Sequence, residues 1–272
     1  MVWLKGLNMW GNSENLEFRD NQLLELAVLS VIGDRSEQQD CYGFDVGEAE
    51  CFAAVCDGMG GHRGGSLASR AAVDYLLDRY RKNMAVADPI AFLREISYGA
   101  DGVVTGLTDE NGRPMEAGST MVTVFIRGNE LYWASVGDSR LYLIRGEEIV
   151  QVTLDHNYHE YLKERLFNKE ISQEDFEREN VRGEALINYL GMNGLLLTDH
   201  NEAPLALMSG DKLLVMSDGL YRLVGDNEIY EILSNFGNIK EALESLELKA
   251  QRVAHKTGAK RDNMTVMLIK IK

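Results

Sequence analysis

The sequence predicts one α+β domain in which strands and helices are partly segregated along the chain. Three observations carry that prediction. The centre is strand-rich: Thr120–Ile126, Glu130–Val136 and Arg140–Arg145 are short runs separated by the turn signals Arg127-Gly128-Asn129 and Gly137-Asp138-Ser139. Apolar residues recur at helical spacing before and after that centre. No internal repeat, low-complexity tract or linker divides the 272 residues, a length over which one core can still grow.

The elements follow in order. Residues 1–22 are polar and irregular and are expected as an N-terminal extension or an edge element, leaving 23–272 as a single domain. Short β-rich apolar segments lie at 23–31, 41–46 and 51–56. From Ser66 to Met84 the period changes. Ala68, Ala71, Ala72, Tyr75 and Leu76 line one helix face, opposite Arg70, Asp74, Asp78 and Arg81. Asp88-Pro89 is an N-cap followed by proline at the first turn, and Phe92, Leu93, Ile96 and Ala100 form the stripe of the helix it starts. Asn111-Gly112-Arg113-Pro114 marks a loop. The three central strands read as an antiparallel meander. Residues 156–187 are charged and helix-prone, with scattered Leu162, Leu166, Phe167, Ile171 and Phe176, and read as an insertion or flap. A strand at Lys212–Met216 precedes two helices. The second starts near Asn238, carries Ala242, Leu243, Leu246, Ala250, Val253 and Ala254, and stops at Lys256-Thr257-Gly258. A final strand runs almost to Lys272.

Composition narrows the function. The chain is 45% hydrophobic and 26% charged, with 43 acidic against 28 basic residues and a net charge of −15. Such a surface opposes nucleic-acid backbones and anionic membranes, so neither is expected as a partner. The three cysteines, Cys41, Cys51 and Cys56, make no disulfide framework and are expected as free thiols in a reducing compartment. Cys51 and Cys56 are five apart on one predicted strand and so point to opposite faces. The N-terminus lacks the apolar core of a signal peptide, and no apolar run is long enough to span a membrane. A cytoplasmic location is expected, and a monomer.

The chemistry gathers at strand ends. Cys51–Cys56 is a buried-strand run that delivers Asp57-Gly58-Met59-Gly60-Gly61-His62 to a sheet edge. Leu213–Met216 delivers Ser217-Asp218-Gly219 in the same way, and Arg261-Asp262-Asn263 runs into the last strand. An ionised Asp in such a setting needs compensating positive charge, which a divalent cation supplies. Oxygen-only ligands favour magnesium or manganese over zinc or copper. Two such ions bridged by a carboxylate would activate a water for in-line attack on phosphorus, with His62 the candidate proton donor to the leaving group. Arg35 and Asp40 lie in Gly33-Asp34-Arg35-Ser36-Glu37-Gln38-Gln39-Asp40. That arginine can grip a phosphoryl group bidentately, or the segment can be a solvated loop with an ion pair. Gly137-Asp138-Ser139-Arg140 is either a hairpin tip or a metal-proximal turn. His156 and His159 lack a third ligand at zinc spacing and read as structural; His255 reads as a charge at a helix C-terminus.

In this order these segments resemble the bacterial form of the metal-dependent protein phosphatases, the type 2C serine/threonine phosphatases. The matching residues are Arg35-x-x-x-Gln39-Asp40, Asp57-Gly58-Met59-Gly60-Gly61-His62, Gly118-Ser119-Thr120, Val136-Gly137-Asp138-Ser139-Arg140, Thr153-x-Asp155-His156, Gly210-Asp211 leading into Ser217-Asp218-Gly219, and Asp262-Asn263-Met264-Thr265. They span roughly residues 28 to 270. The resemblance implies a four-layer αββα sandwich, two packed antiparallel sheets flanked by helices. It implies that Asp57 bridges two Mn2+ or Mg2+ ions, that the Gly58 carbonyl binds the second, and that Asp218 and Asp262 hold the first. Asp40 would bond metal waters and Arg35 the substrate phosphate. A third ion would fall to Asp138 with Asp218. Residues 156–187 stand where the family has its flap. Ser66 replaces a usual glutamate and Gln38 a usual asparagine; neither is a metal ligand in the pattern.

The expected function is therefore hydrolysis of phosphoserine and phosphothreonine in proteins by a metal-activated water, opposing a serine/threonine kinase. Two alternatives stand beside it: an inactive regulatory module on the same fold, or a phosphatase of a small phosphomonoester. The first would have lost a metal aspartate, and Asp57, Asp218 and Asp262 are all present.

Overall fold

Two antiparallel sheets form the middle of the molecule. The computed structural model describes residues 15–61, 63–83 and 86–272. Its strands are β1 (Asn15–Asp20), β2 (Leu24–Val31), β3 (Asp40–Val46), β4 (Glu50–Gly60), β5 (Ala117–Ser119), β6 (Met121–Arg127), β7 (Glu130–Val136), β8 (Arg140–Arg145), β9 (Glu148–Gln151), β10 (Asp199–His200), β11 (Leu205–Ala206), β12 (Lys212–Met216) and β13 (Met264–Ile271). Its helices are α1 (Gly64–Lys82), α2 (Pro89–Thr105), α3 (Tyr158–Phe167), α4 (Gln173–Glu179), α5 (Asp218–Tyr221), α6 (Asp226–Asn235) and α7 (Ile239–Thr257). The first sheet has the order β1-β2-β13-β12-β8-β9 and the second β10-β7-β6-β4-β3, with β5 added to β4 and β11 to β7.

Alternation along each strand builds three layers of core. Leu24, Leu26, Val28, Leu213, Val215, Met267 and Ile269 of the first sheet meet Cys51, Ala53, Val55, Val122, Val124 and Ile126 of the second. The other face of the second sheet, with Phe52, Ala54, Cys56 and Phe125, is covered by α1 and α2 through Ala68, Ala72, Leu76, Phe92, Leu93 and Ile96. The other face of the first is covered by Leu220 of α5, Ile229 and Leu233 of α6, and Ala242, Leu243 and Leu246 of α7. The result is the expected αββα sandwich. Each fully buried Leu, Ile or Phe contributes about 1.5–3 kcal/mol relative to exposure. Cys51 and Cys56 do face opposite ways, one between the sheets and one under the helices.

Two helix signals act as read. The Asp88 side chain accepts from Ala91 N at 3.0 Å with Pro89 in the first turn, and α7 starts on Asn238 and ends at Gly258 in the left-handed conformation. One expectation is corrected. The central meander is broken: β6 and β7 pair in the second sheet, but β8 pairs with β12 in the first. Gly137, with φ of 98°, turns the chain across the sandwich instead of back along β7. Of the expected extension or edge element at 1–22, residues 1–14 lie outside the described residues, and residues 15–20 are an edge element, β1 running antiparallel to β2 at the margin of the first sheet. Among the described residues no helix is long and apolar enough to cross a membrane.

Candidate metal centre

The centre lies where strand ends of both sheets meet. β3 and β4 place Asp40 opposite Asp57. Gly58 N–H donates to the Gln39 carbonyl at 3.1 Å, so the neighbouring 40/57 pair is non-hydrogen-bonded, the type in which side chains approach most closely. Both residues share the strand face of Tyr42 and Val55, the face turned to the first sheet. The Asp57 backbone is clamped: its N–H donates to Thr120 Oγ1 at 2.9 Å, and its carbonyl accepts from Thr120 N at 2.8 Å and Ser119 Oγ at 3.0 Å.

The first sheet answers from β12 and β13. Ser217 follows β12 and donates through Oγ to Asp40 Oδ2 at 2.7 Å, while accepting from Thr265 N at 3.0 Å. Asp218 opens α5, and Asp262 precedes β13. Asn263 braces the loop below: its Nδ2 donates to the carbonyls of Ile32 and Glu37, and its Oδ1 accepts from Gln39 N. Glycine is required at two crossings. A Cβ on Gly58 would fall 2.0 Å from the Gly65 carbonyl oxygen, and one on Gly219 would fall 2.1 Å from that of Asn263. Those contacts seat α1 and α5 directly against the strand ends.

The electrostatics are those of crowded, buried acids. Burial, first, and then the negative charges of Asp40, Asp218, Asp138 and Asp262 push the Asp57 carboxyl well above the usual range. Burial also lifts Asp40, to about 7, opposed by the Ser217 hydroxyl and reinforced by Asp218 and Asp262. Asp138 is raised to about 6 by burial and by Asp218, with Arg222 pulling the other way. Asp218 is raised by burial, again against Arg222. Asp138 sits in the crossover from β7 to β8, where its carbonyl accepts from Tyr221 Oη at 3.0 Å. His156 fastens the same crossover, its Nδ1 lying 3.2 Å from Gly137 N and 2.8 Å from Asn188 Nδ2.

Two guanidinium groups enter this field. Arg35 Nη2 lies 2.5 Å from Asp262 Oδ2, so the loop arginine and the last aspartate are brought together as an ion pair. Arg222 Nε lies 2.9 Å from Asp218 Oδ2, and its Nη1 lies 2.9 Å from Glu184 Oε2. Sequence reasoning missed Arg222 and the positioning role of Ser217. The signal for Arg222 was its spacing of four from Asp218 on a helical turn. His62 lies outside the described residues. Residues 156–187 hold α3, α4 and a short 3-10 turn and border an open cleft of about 780 Å3 beside the centre, lined in part by Asp138, Arg140, Asp155, His159, Glu184 and Arg222 but by none of Asp40, Asp57, Asp218 and Asp262.

The donor chemistry fits hard divalent cations. Among the described residues no three His, Cys, Asp or Glu side chains converge as a ligand set, because Asp262 is turned to Arg35 and Asp218 to Arg222. Three observations nevertheless point to a cation. Asp40 Oδ1 is buried with no hydrogen-bond partner. The Gln39 amide, which would close the ladder onto the Gly58 carbonyl, donates to Asn263 Oδ1 instead. The carboxylates raise one another, which a cation among them would reverse. All the donors are oxygens.

Comparison with known proteins settles the family. Residues 30–254 match the protein phosphatase 2C family. The chain belongs to that family. Membership makes it a protein serine/threonine phosphatase of the metal-dependent class. It is 31% identical to the serine/threonine phosphatase stp of Listeria monocytogenes over 230 residues, 83% of this chain and 86% of that one. Its fold superposes on serine/threonine phosphatase Stp1 from Staphylococcus aureus with a TM-score of 0.77 at 26% identity, covering 94% of this chain and 99% of that one. The catalytic domain of the phosphatase PstP, solved with two manganese ions, has the same fold, with a TM-score of 0.71 at 24% identity and 92% and 98% coverage.

Proposed function

We propose that this phosphatase hydrolyses phosphoserine and phosphothreonine in proteins by in-line attack of water on phosphorus, at a centre of two Mn2+ or Mg2+ ions. The observation that supports the reading is that strand ends of the two sheets bring the Asp40–Asp57 pair beside buried Asp218, with burial and their mutual charge raising the proton affinity of Asp40 and Asp57, while Asp262 stands half-buried at the rim against Arg35. Asp57, the Gly58 carbonyl, Asp218 and Asp262 would hold the ions. When bound, such ions bring the pKa of a coordinated water toward neutrality and polarise phosphoryl oxygens.

The chain's own groups do the rest. Asp40, held through Oδ2 by Ser217, keeps its unpartnered Oδ1 free to orient a water. Arg35, half exposed at the rim, exchanges Asp262 for the phosphoryl oxygens of substrate, its planar fork matching two of them. His62 donates a proton to the departing serine or threonine oxygen, a role resting on its place in the sequence. No enzyme nucleophile is used, so no phosphoenzyme forms. The substrates are phosphoproteins, and a serine/threonine kinase supplies them.

One assay with three arms tests this. Manganese-dependent phosphate release is measured from a phosphothreonine peptide, a phosphotyrosine peptide and a nucleotide. Preference for the first, lost on chelation and in Asp218→Asn, is expected. Activity surviving either treatment sinks the mechanism, and preference for the nucleotide sinks the substrate class. His62→Ala is expected to lose more activity on alkyl than on activated aryl phosphates; an equal loss removes the general-acid role.

A further inference from the structure

Arg222 follows α5, one turn beyond Asp218. Its guanidinium reaches three carboxylates: Asp218 Oδ2 at 2.9 Å, Glu184 Oε2 at 2.9 Å and Asp138 Oδ2 at 3.7 Å. The first and last are side chains of the centre, only 12% and 7% exposed; Glu184 is 78% exposed and belongs to the 156–187 segment.

Resting on the two-ion reading above, we propose that Arg222 is a positioning residue with two jobs. It serves the Asp138–Asp218 pair as a tethered cation in place of a third divalent ion, and it fastens the 156–187 segment to the centre through Glu184. A guanidinium cannot be deprotonated in a protein, so this positive charge is permanent and independent of metal supply. A divalent ion bridging Asp138 and Asp218 would have to displace it or sit against it, at a distance where like charges repel strongly. The neighbouring residue limits that displacement. Tyr221 donates to the Asp138 carbonyl at 3.0 Å, and its ring lies 3.6 Å from the Arg140 guanidinium. The end of α5 is thereby pinned to the crossover that carries Asp138, and Arg222 starts from a fixed backbone. The link to Glu184 is the weaker one, because that carboxylate is mostly in water. Arg222 is thus held firmly at its centre-facing side and loosely at its outer side, where it lines the cleft.

The test counts ions and measures exchange separately. Bound Mn2+ per chain is determined by equilibrium dialysis with elemental analysis at saturating metal, for wild type, R222A, R222K and E184A. Amide hydrogen exchange of residues 158–187 is followed in the same samples. Two ions are expected in wild type, R222K and E184A, and three in R222A. Exchange of the segment is expected to rise about two- to five-fold in R222A and in E184A, the size an exposed ion pair supports. Three ions in wild type, or two in R222A, overturn the tethered-cation role. Unchanged exchange in E184A overturns the fastening. Wild type that binds no Mn2+ at all overturns the two-ion reading itself, and this inference with it.

Discussion

The carboxylate floor and the 156–187 segment are built on opposite principles. Asp40, Asp57, Asp218 and Asp262 stand at or next to the ends of β3, β4, β12 and β13; β4, β12 and β13 are locked by ladders on both sides, β3 by its ladder to β4, and all four by the core between the sheets. In the segment, Leu162 is the buried residue of α3 and α4 has none, while Phe167 and Val181 are 86% and 88% exposed. It is held by local devices: the Ser172/Asp175 capping box, the pairs Lys163–Glu160 and Arg178–Asp175, and the Tyr158–Glu179 hydrogen bond. Repelling charges need positions they cannot escape, so they ride on over-determined strands. A segment with almost no buried apolar side chains has low local stability, because the contacts that hold it are cheap to break.

The largest effect that would break this contrast is at Asp57. Asp57→Asn is expected to lower turnover of a phosphothreonine peptide about a thousand-fold, the scale of losing a central electrostatic group. Melting curves with and without MnCl2 should also lose their shift; a variant still stabilised by Mn2+ would show that the floor does not depend on this carboxylate. Ser217→Ala comes next. Its hydroxyl holds Asp40 and accepts from Thr265, and removing such a supporting bond typically costs 10–100-fold in metal affinity, readable by calorimetric titration. Arg35→Lys keeps the charge and loses the fork, and a KM about tenfold higher with little change in kcat is expected from initial rates.

A smaller effect is pH dependence. Asp40 and Asp138 hold protons in the folded, metal-free protein up to about 7 and about 6, above the ordinary carboxylate range they keep when unfolded. The folded state therefore binds more protons in that window, and stability falls as pH rises from about 5 to about 7.5. Mn2+ should cancel the fall. Thermal melts in chelator that are flat or rise over this range would count against the crowded floor. Smallest is Ser172→Ala in the segment: about fivefold faster local exchange, the worth of one cap, with the global melting temperature unchanged. A lowered global melting temperature would mean that the two regions are not separable.

The parts legible in sequence were those with a local cause. Asp88-Pro89 and Asn238 capped their helices as read, because a cap is decided within four residues. Asp57 and Asp218 stood out because each follows an apolar run and is followed by glycine, and Asp262 because, with Asn263, it leads into one. The crossover at Gly137-Asp138-Ser139 was misread, since the turn chemistry that closes a hairpin also sends a chain to the next sheet; only the partner strand β12, some 70 residues later, decides. The choice between extension and edge element for the residues of β1 stayed open because an edge strand half in water carries little apolar signal. Arg222 was hidden because its partners Asp138 and Glu184 lie far from it in sequence.

The position of β13 has a consequence for how the enzyme is made. Residues 264–271 pair with β2 on one side and β12 on the other, so the final strand of the sandwich is an interior one and joins segments some 240 residues apart. During synthesis β2 waits unpaired on that side until β13 emerges, and Asp262 reaches Asp57 only then. A ribosome-bound chain lacking residues 264–271 should therefore carry no phosphatase activity, and its waiting strands are the surface on which holding chaperones would act.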